Sequence, residues 1–135
     1  MKLISLLIKF PVLKRFLPSL LRNLFIFFGK EQFKMNFENL ILEVNIRDSV
    51  DRGIYFTQKY EENQFNELIY IIEKNHIEIF LDVGANSGIY SLLLSKKFDN
   101  LIIESFEPIK TTYQKFLKNI ENNKLTGRIN VHNLG

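Results

Sequence analysis

Residues 40–46, LILEVNI, alternate along an extended chain. Leu42, Val44 and Ile46 fall on one side and Glu43 and Asn45 on the other, which predicts a half-buried strand. The stretch DSVDRG at 48–53 reads as punctuation, and IYF at 54–56 is expected to form a second short strand before the polar break TQKYEEN. The period then changes. Between Glu61 and Asn75, Phe65, Leu68, Ile69 and Ile72 recur at three- and four-residue steps behind an acidic start, the spacing of an amphipathic helix. A short apolar run, 77–81, leads into DVGANSG (82–88) and then into IYSLLLSKKF, where Leu92, Leu93 and Leu94 supply a helix's buried side. Leu101, Ile102 and Ile103 open another run, which ends at Phe106-Glu107-Pro108. Residues 111–122 are helical by Tyr113, Phe116, Leu117 and Ile120, and RINVHNL reads as a third strand. Strands alternating with helices through short loops imply an α/β fold with a parallel sheet joined by right-handed crossovers.

The first 30 residues have a different texture. MKLISLLIKFPVLKRFLPSLLRNLFIFFGK carries a charge in every 18-residue window and is interrupted by Pro11 and Pro18, so it is no membrane-spanning helix. It also lacks a small-residue cleavage site, which excludes a secretory signal. Lys2 and Lys9, and again Arg15 and Arg22, are seven apart, placing each pair on one side of a helical stretch otherwise rich in Leu, Ile and Phe. Two readings remain open: an interfacial anchor on an anionic membrane, or helices that pack on the domain or on a partner. The expected organisation is a basic helical leader at 1–30, a strand pair with a pre-sheet helix at 31–75, and a partial nucleotide-type domain at 76–135.

Charge sharpens that division. Residues 1–30 hold six basic residues and no acid, a net +6, whereas the remaining 12 bases and 15 acids leave the body at −3. The overall +3 is therefore no argument for nucleic-acid binding. With no Cys, disulfides, thiolate zinc sites and cysteine nucleophiles are excluded, and no metal site is expected. The remaining composition, 46% hydrophobic with nine Gly and Pro together in 135 residues, is that of one ordered domain. Placement is expected in the cytoplasm, with the leader able to meet the inner face of the membrane.

Ligands of such sheets bind at the carboxyl ends of the strands, where both loop motifs fall. The dinucleotide fingerprint G-x-G-x-x-G does not fit. Counting from Gly84 puts Asn86 and Ile89 where glycines belong, and counting from Asp82 puts a carboxylate at the turn glycine. What stands is D-x-G-x-x-x-G. An Asp at a strand end suits a cationic group and would repel a pyrophosphate. Gly84 and Gly88 allow close backbone approach, with Ala85 and Asn86 between them in the loop. Glu107, 19 residues after Gly88, can accept two hydrogen bonds from vicinal ribose hydroxyls. An adenosine with a cationic tail meets these demands, and S-adenosylmethionine is that molecule.

Four blocks resemble the FkbM-type methyltransferases: DRGIYFTQKYEENQF, FLDVGANSGIYSLLLS, SFEPIKTTYQKFLKNIENNKL and INVHNLG, together spanning about 48–135. The resemblance implies a class I, Rossmann-like fold that transfers methyl from S-adenosylmethionine to an oxygen of a sugar, glycan or small metabolite. Asp82, Gly84, Asn86 and Gly88 match its cofactor motif, and Glu107 matches its ribose-binding acid. Asn119 and Asn123 match a recurring Asn pair, expected to cap backbone. Tyr60 and Glu61 match a Y-E pair, where Glu61 either lines the methyl-transfer pocket or serves as a first-turn acid. His76 and His132 are read as structural, and no general base is assigned.

A doubly wound sheet runs 3-2-1-4-5-6, and only three of its strands are expected here. The first strand, around Leu81, is thus expected to lack a neighbour at its edge and on both faces. A fragment of an enzyme, a nonenzymatic remnant and a nucleotide-binding module serving a partner all remain compatible with the sequence.

Overall fold

The computed structural model describes residues 21–135. Twenty residues of the basic leader therefore lie outside the described part, and residues 21–27 are helical. The elements that follow are β1 (Gln32–Phe37), β2 (Leu40–Asn45), α1 (Ser49–Thr57), α2 (Glu62–Asn75), β3 (Ile79–Val83), α3 (Ile89–Lys97), β4 (Ile102–Phe106), α4 (Lys110–Asn122) and β5 (Ile129–His132). The chain forms two compact units and passes between them at the hairpin and again after Tyr60.

β2, whose first three residues belong to the second unit and the rest to the first, forms as its alternation requires, with Leu40, Leu42 and Val44 buried along the strand. Its partner is not 54–56 but β1, where Phe33, Met35 and Phe37 alternate with exposed Gln32, Lys34 and Asn36. Glu38 and Asn39 connect the two with φ of 47° and 61°, the left-handed pair that a two-residue hairpin turn needs. Residues 54–56 lie in α1 instead of a strand. Asp48 explains the change: its Oδ1 accepts from the N–H groups of Val50 (2.9 Å) and Asp51 (3.0 Å), capping a helix where punctuation was expected. Asp51, buried in the first turn, accepts from Asn45 N at 2.8 Å and ties the helix to the end of β2. A local β preference in three residues is outweighed once a capped turn precedes them. Ile46 and Phe56 form the buried centre, packed by Phe25, Phe33 and Tyr55, whose rings lie 4.9–5.7 Å apart.

The second unit is an α/β layer. β3, β4 and β5 are adjacent and parallel, with Ile79 level with Ile102, Leu81 with Glu104 and Glu104 with Asn130. The strand order and class agree with the sequence expectation of three consecutive strands of a Rossmann-like sheet. One face holds Ile103, Ser105 and Ile129, all buried, and the interior of the unit continues with Leu92, Leu94, Phe116 and Ile120. Arg128 closes the C-terminal end of α3 by donating to the carbonyls of Ser95, Phe98 and Asp99, groups with no partner inside the helix.

The other face is bare in part. Ile79, Leu81 and Val83 are 55%, 60% and 79% exposed, Ile102 is 50% exposed, and β3 has no outer neighbour among the described residues. On the opposite face Phe80 and Asp82 are partly covered, and Ser91 of α3 reaches Asp82 there.

Candidate cofactor site

The site begins where β3 ends. Residues 84–88 join β3 to α3 by a loop in which Gly84, Asn86 and Gly88 have φ of 78°, 51° and 80°. A β-carbon resists that region, so the sequence accommodates the loop with two glycines and an Asn, whose short polar side chain tolerates it best. The loop is pinned at its start by Phe106 O, which accepts from Gly84 N and Ala85 N at 2.9 and 3.0 Å.

The two glycines do different work. A Cβ on Gly84 would meet nothing within 4 Å, so open space lies over the turn for a ligand to approach the backbone. A Cβ on Gly88 would come closer than 3.0 Å to three atoms of the fully buried Phe116 ring. Gly88 therefore lets α4 pack against the start of α3, rather than leaving room for a ligand.

Glu107 sits at the tip of the adjacent strand, 5% exposed. Its Oε2 accepts from Asn86 N and its Oε1 from Ile109 N, both at 2.9 Å. The carboxylate thus shapes the glycine loop, a bond that spacing alone did not suggest, while each oxygen keeps a second lone pair for an outside donor. The main chain at Glu107 is fixed as well, with its N–H donating to His132 O at 3.0 Å and its carbonyl accepting from Asn133 Nδ2 at 2.8 Å.

Asp82 lies in β3 with its Oδ2 accepting from Ser91 Oγ at 2.5 Å, and Ser91 Oγ lies 2.8 Å from Ser105 Oγ. Both serines are completely buried. Burial pushes the Asp82 carboxyl above the usual carboxylate range, and the Ser91 hydroxyl opposes that shift by favouring the ionised form. Asp82, Ser91 and Ser105 therefore form a short chain through the sheet and α3 that aims one carboxylate. Sequence reasoning did not find the serines. Their signal was there, a lone small hydroxyl in SLLL and another in ESF, each among residues destined for the core.

The Asn pair is structural, as expected. Asn119, fully buried, donates from Nδ2 to Ser87 O at 2.9 Å, holding the glycine loop from α4. Asn123 accepts from Ile41 N at 2.9 Å and donates to Ile41 O at 2.8 Å, so it pairs with the backbone as a strand would. Glu61 adopts the left-handed region at the start of α2 without capping it, and its Oε2 accepts from Tyr90 Oη at 2.7 Å. That bond carries the acid to the first turn of α3, next to the glycine loop. His76 ends α2, ahead of β3 and away from the strand tips. His132 stacks on Phe106 at 4.9 Å, with its Nε2 2.7 Å from Glu104 Oε2. Among the described residues, no group of acids and histidines is arranged to hold a metal ion.

Asp82, Gly84, Ala85, Asn86, Gly88 and Glu107 are brought together at the tips of two neighbouring parallel strands. Comparison with known proteins bears on the fold. No protein-family model matches the chain, and no curated protein matches its sequence. In a solved structure from Staphylococcus aureus, described provisionally as a caffeoyl-CoA O-methyltransferase, the similar part covers 63% of this chain and 43% of that one, with a TM-score of 0.54 at 14% identity. A second, from Klebsiella pneumoniae and described provisionally as an O-methyltransferase, aligns over 55% of this chain and 34% of its own, with a TM-score of 0.48 and 13% identity. The chain thus spans less than half the length of these structures, and the Staphylococcus aureus likeness shows a shared Rossmann-like α/β fold.

Proposed function

We propose that the chain forms the cofactor-binding part of an S-adenosylmethionine-dependent methyltransferase of the FkbM type, acting on an oxygen of a sugar, glycan or small metabolite in the cytoplasm. The observation that supports this most is the pairing of an open glycine turn at Gly84 with a buried strand-tip carboxylate, Glu107, that shapes the loop and keeps acceptor capacity. Bound there, S-adenosylmethionine supplies a methyl group on a cationic sulfur, already electrophilic enough that the protein's contribution is mainly to position the acceptor.

Each residue has a defined task in this reading. Gly84 and Ala85 present backbone at close range. Glu107 accepts from the ribose hydroxyls on its free lone pairs. Asp82, oriented by Ser91, draws the cationic end of the ligand toward β3. Asn86 and Gly88 hold the curvature of the loop. A hydroxyl acceptor also needs a base in its path, and Glu61, held by Tyr90 in the first turn of α3, is a carboxylate that could serve.

Calorimetric titration with S-adenosylmethionine tests this on the wild type, Asp82→Ala and Glu107→Gln. The expected result is micromolar binding by the wild type and a loss of about tenfold or more in each variant, since each removes a charge-assisted contact. Absent or millimolar binding by the folded wild type would leave a remnant without ligand. Equal binding by all three proteins would show that the ligand sits elsewhere.

A further inference from the structure

The start of α2 rests on few contacts. Ile72, well along the helix, is the residue it buries, and Glu61, Glu62, Asn63 and Gln64 are exposed. Phe65 in the first turn is half-buried, with its ring 5.7 Å from that of Tyr90. Glu61, just ahead of the helix, accepts from Tyr90 Oη at 2.7 Å. Acid and ring therefore meet one side chain, which stands two residues after Gly88 in the first turn of α3. Sparse burial and an exposed surface are the marks of a segment that opens locally, ahead of the rest of the fold.

The backbone that leads into α2 is bent to make this arrangement. Gln58 closes α1 with φ 54° and ψ 35°, and Glu61 precedes α2 with φ 41° and ψ 41°. Both are left-handed, a region that a β-carbon disfavours, and neither residue is Gly or Asn. Glu61 gains no cap from the conformation, since its side chain makes no bond to the first N–H groups of the helix. Its carboxylate goes to Tyr90 instead. A strained residue held by such a bond has a relaxed alternative once the bond breaks. Residues 58–61 thus contain two points of rotation at element ends, where hinges form.

We infer that the first turn of α2 is a strap, hinged at residues 58–61 and latched by Tyr90, that controls passage of a ligand to and from the glycine loop. The role at the loop rests on the cofactor-binding reading proposed above; the latch itself does not. With the latch made, Phe65 N donates to Glu61 O at 2.9 Å and the turn is closed. With it broken, Glu61 leaves the left-handed region, the turn loses that hydrogen bond, and the flank of the loop opens.

Hydrogen exchange and limited trypsin digestion of the full chain read the latch without any ligand, because both follow the population of the open form. Tyr90→Phe removes the hydroxyl and keeps the ring against Phe65. It should speed exchange of the Phe65 amide and cleavage after exposed Lys59 by about threefold to tenfold, the population change of one net hydrogen bond. Glu61→Ala should match it, whereas Glu61→Gln, whose carbonyl still accepts from Tyr90, should stay within about twofold of wild type. The Asn86 amide, bound to Glu107 Oε2, should keep its wild-type rate in all three variants. Wild-type rates at Phe65 and Lys59 in Tyr90→Phe, or a rise that extends to Asn86, would overturn the latch. Stopped-flow binding of S-adenosylmethionine reads the gate: association and dissociation should quicken together in Tyr90→Phe, with Kd within about twofold of wild type. Unchanged rates alongside a loosened latch would overturn the gating role. A wild type that binds no S-adenosylmethionine refutes the cofactor reading and the gate with it, while the latch is decided by exchange and digestion alone.

Discussion

Gly88→Ala and Gly84→Ala form a matched pair, since the two positions share a backbone conformation and differ in what surrounds them. With φ near +80° at both, an L side chain costs about 1–2 kcal/mol. At Gly84 that is the whole cost, because an added Cβ meets open space. At Gly88 the same Cβ overlaps the ring of Phe116, which is fully buried and cannot swing into solvent. Forcing one more carbon into such a core adds about 1–3 kcal/mol, for a total of about 2–5 kcal/mol. Against the 5–15 kcal/mol typical of a domain, this is a large fraction. Urea denaturation followed by circular dichroism should place Gly88→Ala about 1–3 kcal/mol below Gly84→Ala. S-adenosylmethionine titration should show the opposite ranking, with folded Gly84→Ala the weaker binder. A double-mutant cycle adds a check. In Gly88→Ala/Phe116→Leu the smaller side chain makes room for the methyl group, so the pair should lose at least about 1 kcal/mol less than the sum of its singles. If Gly88→Ala is no worse than Gly84→Ala, or the cycle is additive, the role assigned to Gly88 is wrong.

Two further outcomes follow from the site's buried polar groups. Asp82 has a folded pKa raised by burial, so the folded state holds its proton more tightly than the unfolded chain. Its contribution is therefore lost as pH rises from the ordinary carboxylate range through the raised value. Asp82→Asn should remove that decline, giving a flatter profile of urea midpoint against pH and a protein no less stable near neutrality; a profile unchanged from wild type would contradict the assignment. Asn119→Ala leaves the buried carbonyl of Ser87 without its donor and should cost about 1–3 kcal/mol, read as a lower urea midpoint together with faster amide exchange in residues 84–88; an unchanged midpoint would refute the clasp.

Much of the second unit was legible because its signals are local. The apolar runs around Leu81 and Ile103, the glycines between the first strand and its helix, and the three- and four-residue steps of Phe116 and Ile120 each depend on neighbours within one turn or one strand. The hairpin was half legible. β2 alternates openly, and β1 alternates equally well as QFKMNF, but its pattern merges with that of a leader rich in phenylalanine. The triplet 54–56 misled because three β-favouring residues carry less weight than the side-chain cap two turns earlier.

Sequence alone determined the class of the fold, the place of the glycine loop and the acids that end two strands, since these follow from periodicity and from the backbone freedom of particular residues. Tertiary structure decided what those residues touch. It showed that Gly88 makes room for a ring and not for a ligand, and that Glu107 holds the loop through Asn86 N. Two serines in apolar surroundings prove to orient Asp82, and Asn123 reaches 82 residues back to the backbone of Ile41. Contacts between distant residues depend on how elements pack in three dimensions, and no local pattern encodes that.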